Sequence, residues 1–161
     1  MVHRLSDRGG ASLVVLDDLS TGFEWAIPAH VPLVKGNVGD FTTVVDLIRR
    51  HSIDTVLHFA ASTVVPESVH NPLKYYSNNT ANSLILLRAA TESGVSRFVF
   101  SSTAAVYGEG APSPTPEDAP TAPASPYGWS KLMTERMIQD AANASGMRFV
   151  ILRYFNACGA D

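Results

Sequence analysis

RFVFSSTAAVYG (residues 97–108) and SPYGWSKLMTE (residues 125–135) are the two stretches that decide the fold of this 161-residue chain. The first is an apolar run that ends in hydroxyl side chains, which predicts a buried strand with a polar carboxyl end. The second opens a segment that predicts a helix ending at Gly146. A strand followed by a helix is the repeating unit of a parallel α/β sheet.

The remainder of the chain repeats this alternation. Apolar runs predict further strands within residues 12–16, 30–36, 54–61 and 147–155. Apolar residues at helical intervals predict helices at residues 2–8, 41–51 and 71–94. Because strands separated by helices imply right-handed crossovers, the predicted fold class is α/β, a doubly wound parallel sheet of Rossmann-like type.

Individual residues define the ends and faces of the predicted helices. Gly9 ends the first helix, and Asp40 is a suitable N-cap for the second. Pro72 suits the first turn of the third helix, and Gly94 its exit. The inner face of this third helix is predicted to carry Tyr76, Leu84, Leu87 and Ala90.

Polar residues collect where the predicted strands end. In a doubly wound sheet the carboxyl ends of parallel strands meet at one edge, and ligands bind there. We therefore expect one binding edge that brings together Asp17, the turn at residues 36–40, Phe59 to Ala61, Ser101 to Thr103, and Asn156.

Several of these polar residues also have ordinary structural interpretations. Asp17 follows a strand, where it could bind a ribose diol or only cap a turn. His58 lies inside a predicted strand and is interpreted as a satisfied core histidine rather than a catalyst. Asn78, Asn79 and Asn82 fall within a predicted helix, where asparagine is a mediocre former, so they indicate either a polar task or an exposed helix surface.

Tyr127 and Lys131 stand four residues apart on one predicted helical face. At this spacing their Cβ atoms lie about 5–6 Å apart, so an ammonium can stabilise a neighbouring phenolate. A phenolate can accept a proton near neutral pH, which a free phenol does poorly. The pair alone is also compatible with an exposed helix pair, because a Tyr-x-x-x-Lys pattern occurs often by chance.

Composition excludes several functional classes. Twelve basic and fifteen acidic residues give a net charge of −3 without long runs of one sign, so we expect no nucleic-acid or membrane-surface binding. The single cysteine, Cys158, forms no internal disulfide, and the sequence has no Cys/His cluster with metal-ligand spacing. The amino terminus lacks the apolar run of a signal peptide, so a soluble, cytoplasmic protein without metal is expected.

Six motifs occur in an order and spacing that resembles the extended short-chain dehydrogenase/reductase family. They are DDLSTG, FAASTVVPESV, NPLKYYSNN, SSTAAVYG, SPYGWSKLMTE and LRYFNACGAD. Within that family the resemblance is to the nucleotide-sugar 4-epimerases, which interconvert UDP-glucose and UDP-galactose in galactose metabolism, use NAD and form homodimers. The resemblance covers nearly the whole chain and implies the same activity, cofactor and partners here.

The resemblance also implies catalytic and substrate-binding roles. Tyr127 would remove the proton of the sugar 4-hydroxyl as hydride passes to NAD, and Lys131 would stabilise its phenolate. Thr103 would share the proton path and hold the 4-oxygen. Asn156 would face the nucleotide-sugar diphosphate. The resulting 4-keto sugar would turn over and take the hydride back on its other face.

The cofactor contacts implied by the resemblance follow the strand ends. Asp17 would bind the adenosine ribose, Asn37 and Val38 would flank adenine, and Phe155 would lie near the nicotinamide. The full implied set is Asp17, Asp18, Leu19, Ser20, Thr21, Gly22, Asn37, Val38, Phe59, Ala60, Ala61, Asn78, Ser101, Tyr127, Lys131 and Phe155.

Three positions depart from the family pattern. Asn37 replaces the usual acidic residue near adenine, which keeps hydrogen bonding but removes a charge. Thr63 stands where some members carry a lysine near the cofactor. Cys158 stands where small residues or proline are common, and it is interpreted as a packing residue.

The resemblance further implies that residues 1–161 are a partial NAD-binding domain. The family's first strand and its Gly-rich phosphate loop are not in this sequence, nor is its substrate domain, so we expect a fragment, a late start site, or strands that close up in a rearranged sheet. A non-catalytic nucleotide-binding remnant therefore stays open as an alternative. A nucleotide-sugar 4,6-dehydratase is a second alternative, although Ala104 and Ala105 stand where that chemistry needs an Asp-Glu pair.

Overall fold

The computed structural model describes residues 1–155, which form strands and helices in alternation. The strands are β1 (Val15–Asp17), β2 (Leu33–Lys35), β3 (Thr55–His58), β4 (Arg97–Thr103) and β5 (Arg148–Tyr154). The helices are α1 (Val2–Arg8), α2 (Phe41–His51), α3 (Val65–His70), α4 (Pro72–Tyr75), α5 (Asn82–Glu92) and α6 (Pro126–Ser145). A π-helical segment, Tyr76–Ala81, joins α4 to α5, and 3₁₀ turns occupy Glu24–Ala26 and Ala104–Val106.

All the described strand pairs are parallel, which confirms the predicted fold class. They form two sheets, one of β1 and β2 and one in the order β3-β4-β5. A cleft of about 510 Å³ lies between β1 and β3, and within residues 1–155 these two strands are not paired. Leu57 of β3 is 38% exposed there. The strands therefore do not close up into a rearranged sheet, which was one of the three expectations.

Strand β1 is shorter than the predicted strand at residues 12–16. It comprises Val15–Asp17, which pair with Leu33–Lys35 of β2. Backbone pairing with a neighbour is what defines a strand, and β2 offers only three residues. The apolar run therefore predicted the position of the strand but not its length.

One hydrophobic core holds the two sheets in a common frame. Val44 and Ile48 on the inner face of α2 belong to a buried cluster that also contains Phe98 of β4. Leu16 of β1 and Val56 of β3, one from each sheet, pack against this cluster. Helix α2 has the predicted bounds, and the Asp40 side chain caps it by accepting a hydrogen bond from the Thr43 N–H. Packing on shared helices thus replaces hydrogen bonding between the sheets.

The predicted helix at residues 71–94 is interrupted by the π-helical segment, and this changes its buried face. Leu87 and Ala90 are buried as expected, but Leu84 is 52% exposed and Tyr75, not Tyr76, is fully buried. A π-helical turn holds more residues than an α-helical turn, so it rotates the residues on its two sides relative to each other. The prediction of Tyr76 and Leu84 as inner-face residues was wrong for this reason. Helix α3 was not predicted at all.

Helix α6 follows the sequence prediction closely. The Ser125 side chain caps it by accepting from the Gly128 N–H, and Gly146 ends it in the left-handed conformation with φ of 75°. Ile138 is buried in the main core, whereas Met133 on the same helix is 44% exposed. Residues 156–161, which include the predicted Asn156 and the packing residue Cys158, lie outside the described residues.

Truncating Ile138 should destabilise the fold far more than truncating Met133. Ile138→Ala leaves a cavity in a closely packed core and should lower the free energy of unfolding by about 2–5 kcal/mol. Met133→Ala on the same helix should change it by less than about 1 kcal/mol. Urea denaturation followed by circular dichroism measures both values, and equal losses would contradict the described core.

Candidate active site

Lys131 connects helix α6 to the carboxyl end of β4. Its side chain is 3% exposed, and Nζ donates a hydrogen bond of 2.8 Å to the main-chain oxygen of Ser101. The same ammonium lies 4.8 Å from the ring centroid of Phe100. Burial lowers the pKa of Lys131 to about 8. The predicted interpretation of an exposed helix pair is therefore wrong for Lys131.

His58 is a core histidine, as the sequence interpretation proposed. It is buried at the end of β3, its Nε2 lies 2.7 Å from Ser83 Oγ, and its ring packs at a tilt of 30° against Phe100 with centroids 5.6 Å apart. Burial, with a smaller effect of the nearby Lys131 charge, lowers the pKa of His58 to about 3. His58 is therefore neutral at pH 7, so it adds no positive charge beside the Lys131 ammonium.

Tyr127 is buried one helical turn before Lys131, beside the turn that follows β4. The ring of Tyr75 packs edge-on against its ring, with centroids 6.3 Å apart and an interplanar angle of 86°. Gly128 has no room for a side chain, because a Cβ there would lie 2.8 Å from the main-chain oxygen of Ala105. This close approach places the first turn of α6 directly on the residues after Thr103.

Thr103 is the last residue of β4, and its side chain is fixed at the strand end. Its Oγ1 accepts a hydrogen bond of 3.2 Å from the Ala105 N–H, which caps the following 3₁₀ turn. This bond does not use the Thr103 hydroxyl proton, so the hydroxyl retains its ability to donate. Thr103, Tyr127 and Lys131 thus come from neighbouring elements, as the sequence predicted.

An ion pair with a buried carboxylate and a partly exposed guanidinium lies next to these residues, and it was not predicted from the sequence. Glu135, one turn beyond Lys131 on α6, accepts hydrogen bonds from the Ser102 hydroxyl and from Arg153 of β5. Arg153 Nη2 lies 2.7 Å from Glu135 Oε2, and this bonding raises the pKa of the guanidinium above its ordinary value. Arg153 also donates to the main-chain oxygen of Glu117, so the pair links α6, β4, β5 and the long connection.

The acidic residues after β1 organise a turn at the edge of the first sheet. Asp17 Oδ1 accepts a 2.8 Å hydrogen bond from the Leu19 N–H, and Asp18 Oδ1 accepts one of 2.9 Å from the Ser20 N–H. The bonds from Ser20 lower the pKa of Asp18, so its carboxylate stays ionised. Asp17 therefore caps a turn and also lines the cleft. Its interpretation as a turn cap is confirmed, and the contact with a ribose stays a prediction.

Three asparagines extend this edge. Asn37 Oδ1 accepts from the Gly39 N–H at 2.8 Å, and Asn82 Nδ2 donates to Asn78 Oδ1 at 3.2 Å. Gly39 is where the Asn37–Gly39 pair and the Asn78–Asn82 pair come close together. A Cβ at this position would lie only 2.3 Å from Asn82 Oδ1, so there is no room for a side chain. Asn78 and Asn82 line a second cavity of about 520 Å³ and are partly buried, so they are not an exposed helix surface, and their polar task stays a prediction.

The structure gathers most of the predicted cofactor residues around the cleft and the second cavity. Those that line one or both are Asp17, Asp18, Ser20, Thr21, Gly22, Asn37, Val38, Phe59, Ala60, Ala61 and Asn78. Ser101, Tyr127 and Lys131 form the separate group on β4 and α6, outside the described walls of both cavities. Phe155 follows β5 and is 68% exposed, so the described residues do not bring it to either group.

The residues of this edge fit a dinucleotide. Paired carboxylates suit ribose hydroxyls, amides suit the polar edge of a nucleobase, and Gly39 allows a close backbone approach at the asparagine cluster. Cavities of about 510 and 520 Å³ are of the size that small-molecule sites usually have. In residues 1–155 no three His, Cys, Asp or Glu side chains converge as metal ligands would.

Fold and site together define a Rossmann-like protein with a tyrosine–lysine pair at the carboxyl edge of its parallel sheets. The chain belongs to the NAD dependent epimerase/dehydratase family, whose sequence profile matches residues 1–161. No described helix in residues 1–155 is long and apolar enough to cross a lipid bilayer.

Known relatives that this chain resembles in sequence and structure include UDP-glucose 4-epimerases. The chain is 56% identical over 161 residues to the UDP-glucose 4-epimerase of Azospirillum brasilense, a match that covers all of this chain and 46% of that protein. It resembles the crystal structure of the Brucella ovis UDP-glucose 4-epimerase in complex with NAD, with a TM-score of 0.95, 40% identity, and coverage of 99% and 49% of the two chains.

A second solved structure, of the Thermotoga maritima UDP-glucose 4-epimerase with UDP-glucose, has a TM-score of 0.90 and 32% identity. The match covers 95% of this chain and 50% of the Thermotoga maritima chain. The chain thus spans about half the length of the relatives it matches.

Removing the buried Lys131 charge should stabilise the fold in a pH-dependent way. A folded pKa of about 8, against an ordinary 10.5, corresponds to about 3 kcal/mol of destabilisation. This penalty is complete below pH 8, where folded and unfolded chains both hold the proton. It declines as the pH rises from 8 to 10.5, because only the unfolded chain still holds the proton.

Lys131→Met should therefore be more stable than the wild type by up to about 3 kcal/mol at pH 7, and the difference should disappear by about pH 10.5. Urea unfolding at a series of pH values measures it, and Lys35→Met, which removes an exposed ammonium, is the matched control. A difference between Lys131→Met and the wild type that stays constant from pH 7 to pH 10 would contradict the burial of a charged lysine.

Proposed function

We propose that this chain is the NAD-binding part of a nucleotide-sugar 4-epimerase that interconverts UDP-glucose and UDP-galactose. The observation that carries the proposal is the placement of Lys131, whose buried ammonium bonds Ser101 O at the carboxyl end of β4. Tyr127 stands one turn away on the same helix, and Thr103 ends the same strand. The likeness to UDP-glucose 4-epimerases over the whole chain supports the same function.

The three side chains would act together on the proton of the sugar 4-hydroxyl. Tyr127 accepts the proton of the sugar 4-hydroxyl, the positive charge of Lys131 favours the phenolate, and the Thr103 hydroxyl donates a hydrogen bond to the sugar 4-oxygen. NAD, when bound, supplies a hydride acceptor and donor at sugar carbon 4. Return of the proton from Tyr127 to the 4-oxygen after the sugar has turned over completes the epimerisation.

The cofactor is proposed to lie along the residues that line the two cavities and to extend from there to the group on β4 and α6. Asp17 would bind the adenosine ribose, Asp18 would lie on the adenosine side, and Asn37 and Val38 would flank adenine. Phe59 to Ala61 and Asn78 would pass beside the phosphates and the second ribose, with Leu19 to Gly22 along the adenosine side. Ser101, Lys131 and Phe155 would bound the nicotinamide end, and Asn156 would face the substrate diphosphate.

A nucleotide-sugar 4,6-dehydratase is the nearest enzymatic alternative. That reaction eliminates water and needs an acid and a base after the strand-end hydroxyl. Here Ala104 and Ala105 form the 3₁₀ turn that directly follows Thr103, and neither side chain can transfer a proton. The residues at this turn therefore favour epimerisation.

The protein is further proposed to form a homodimer, to bind a small molecule and to act in the cytoplasm. Trp129 and Met133 are exposed one turn apart on α6, which supports a homodimer that covers this helix. A net charge of −3 supports a small-molecule partner rather than a nucleic acid. The single cysteine is compatible with the reducing cytoplasm, where galactose metabolism would use the enzyme.

A chimeric enzyme tests the proposed function. Residues 1–161 of this chain should replace the matching segment of the Azospirillum brasilense enzyme, and conversion of UDP-galactose to UDP-glucose should then be assayed. The chimera should be active, and Tyr127→Phe should lower kcat by about 10²–10⁴-fold, because the proton acceptor is lost. Tyr76→Phe, which removes a phenol hydroxyl outside the proposed site, is the control.

Unchanged turnover in the Tyr127→Phe chimera would exclude Tyr127 as the base. A chimera that folds and binds NAD but converts no UDP-galactose would favour the alternative of a non-catalytic nucleotide-binding protein.

A further inference from the structure

Asn37 lies in the turn after β2, and its side-chain amide is held in one orientation. Its Oδ1 accepts a 2.8 Å hydrogen bond from the Gly39 N–H, and its Nδ2 donates a long hydrogen bond of 3.5 Å to Asp18 Oδ2. Only the amide oxygen can accept from a backbone N–H, and only the amide nitrogen can donate to a carboxylate, so the two partners define which end of the amide is which. The Nδ2 end therefore faces the acidic turn after β1.

This orientation leaves part of the amide available to a ligand. Nδ2 has two N–H groups and gives one of them to Asp18, and Oδ1 has two lone pairs and uses one of them for Gly39. Within residues 1–155 one donor and one acceptor of Asn37 therefore remain, side by side on a planar group. Because Asn37 is exposed and lines the cleft between β1 and β3, a molecule in the cleft can reach this free edge.

Asn37 also stands beside Asp17, which is proposed to bind the adenosine ribose. The Gly36 N–H donates to the main-chain oxygen of Asp17 at 3.0 Å, which holds the turn after β2 against the turn after β1. A nucleobase is joined to its ribose by a single bond, so a base whose ribose is bound at Asp17 lies close to Asn37. Leu16 and Val38 line the same cleft and offer apolar surface to the faces of the base.

The free edge of Asn37 matches more than one purine. Adenine presents its 6-amino group, a donor, beside N1, an acceptor, and asparagine can pair with adenine through two hydrogen bonds. Hypoxanthine presents a 6-oxo group, an acceptor, beside an N1–H donor. The amide has one group of each kind, so Nδ2 can donate to N1 of adenine or to O6 of hypoxanthine. In the same two pairs Oδ1 accepts from the 6-amino group or from N1–H.

We propose that Asn37 determines the base specificity of the cofactor site, and that this site accepts dinucleotides with a 6-oxopurine as well as those with adenine. The inference rests on the proposed function, because it takes the base to lie at Asn37. A carboxylate at this position would offer acceptors only, so it would repel the 6-oxo group and favour adenine. Asparagine and aspartate therefore differ here in selectivity but not in the turn, since either side chain can accept from the Gly39 N–H.

Nicotinamide hypoxanthine dinucleotide is the probe that tests this proposal, because it differs from NAD only at position 6 of the purine. The Kd of each dinucleotide is measured by calorimetric titration of the 161-residue chain, and the ratio of the two Kd values is the readout. Asn37→Asp keeps the shape of the side chain and the bond to the Gly39 N–H but removes the donor. Asn143→Asp is the matched control, because it adds the same charge at an exposed position of α6 that lines neither cavity.

The wild-type chain should bind the two dinucleotides with Kd values within about threefold of each other. Asn37→Asp should bind nicotinamide hypoxanthine dinucleotide about tenfold or more weakly than NAD, because a carboxylate oxygen then faces the 6-oxo group. The charge that this variant adds beside Asp18 affects both ligands alike, so its effect cancels in the ratio. Asn37→Ala should weaken both ligands and leave the ratio close to one, and Asn143→Asp should keep the wild-type ratio.

A wild-type chain that binds NAD about tenfold or more tightly than nicotinamide hypoxanthine dinucleotide would overturn this inference and leave the proposed function standing. A wild-type ratio in Asn37→Asp would overturn it as well, because Asn37 would then act only as a turn cap. A wild-type chain that binds neither dinucleotide would contradict the proposed cofactor site and the base specificity together.

Discussion

The hydrogen bond from the buried Lys131 ammonium to the Ser101 carbonyl ties the first turns of α6 to the carboxyl end of β4. The candidate site depends on this bond, because a buried ammonium without a hydrogen-bond acceptor would be strongly unfavourable. Phe100 offers its ring face to the ammonium, and His58 stays neutral beside it. The fold therefore holds a destabilising buried cation on α6, one helical turn after Tyr127.

Parallel strands explain why the remaining polar groups meet at one edge. Every described strand points the same way within its sheet, and the turns after β1, β3 and β4 carry the predicted site residues. The core around α2 keeps the two sheets in a common frame although β1 and β3 are not paired with each other in the described residues. The carboxyl edge is thus continuous even where the hydrogen-bonded sheet is not.

The sequence was sufficient for those features that depend on local pattern. The bounds of α2 and the exit of α6 at Gly146 follow from residue types at fixed spacing, and the burial of His58 follows from its place inside an apolar run. The shortness of β1 depends on how many residues β2 offers for pairing, which the apolar run Ser12–Leu16 does not encode. Long-range pairing of this kind is the least accessible part of a fold to sequence reasoning.

The same distinction applies to the site. Thr103, Tyr127 and Lys131 were predictable from one strand end and one helical spacing. Glu135 stands one further turn along the same helical face, so its spacing was a signal that a buried partner could be expected. Arg153 was harder to predict, because its pairing with Glu135 depends on β5 lying beside β4.

Asn79 illustrates why asparagines inside a helix need a structure before they can be interpreted. Its contacts with Ser62 and Ser130 are 17 and 51 residues distant in sequence. The π-helical segment that brings these contacts together also rotates the buried face of the surrounding helix, which is why Tyr75 and not Tyr76 is buried there. Local periodicity therefore predicted a helix correctly but not which of its polar residues face inward.

NAD binding at the carboxyl edge of this chain can be measured directly. The most direct measurement is an NMR titration of the 161-residue chain with NAD, with backbone amide shifts followed residue by residue. The largest shift changes should fall at Asp17 to Gly22, Phe59 to Ala61 and Asn78. Shift changes confined to other surfaces, such as α1 or the exposed face of α6, or no change at millimolar NAD, would contradict it.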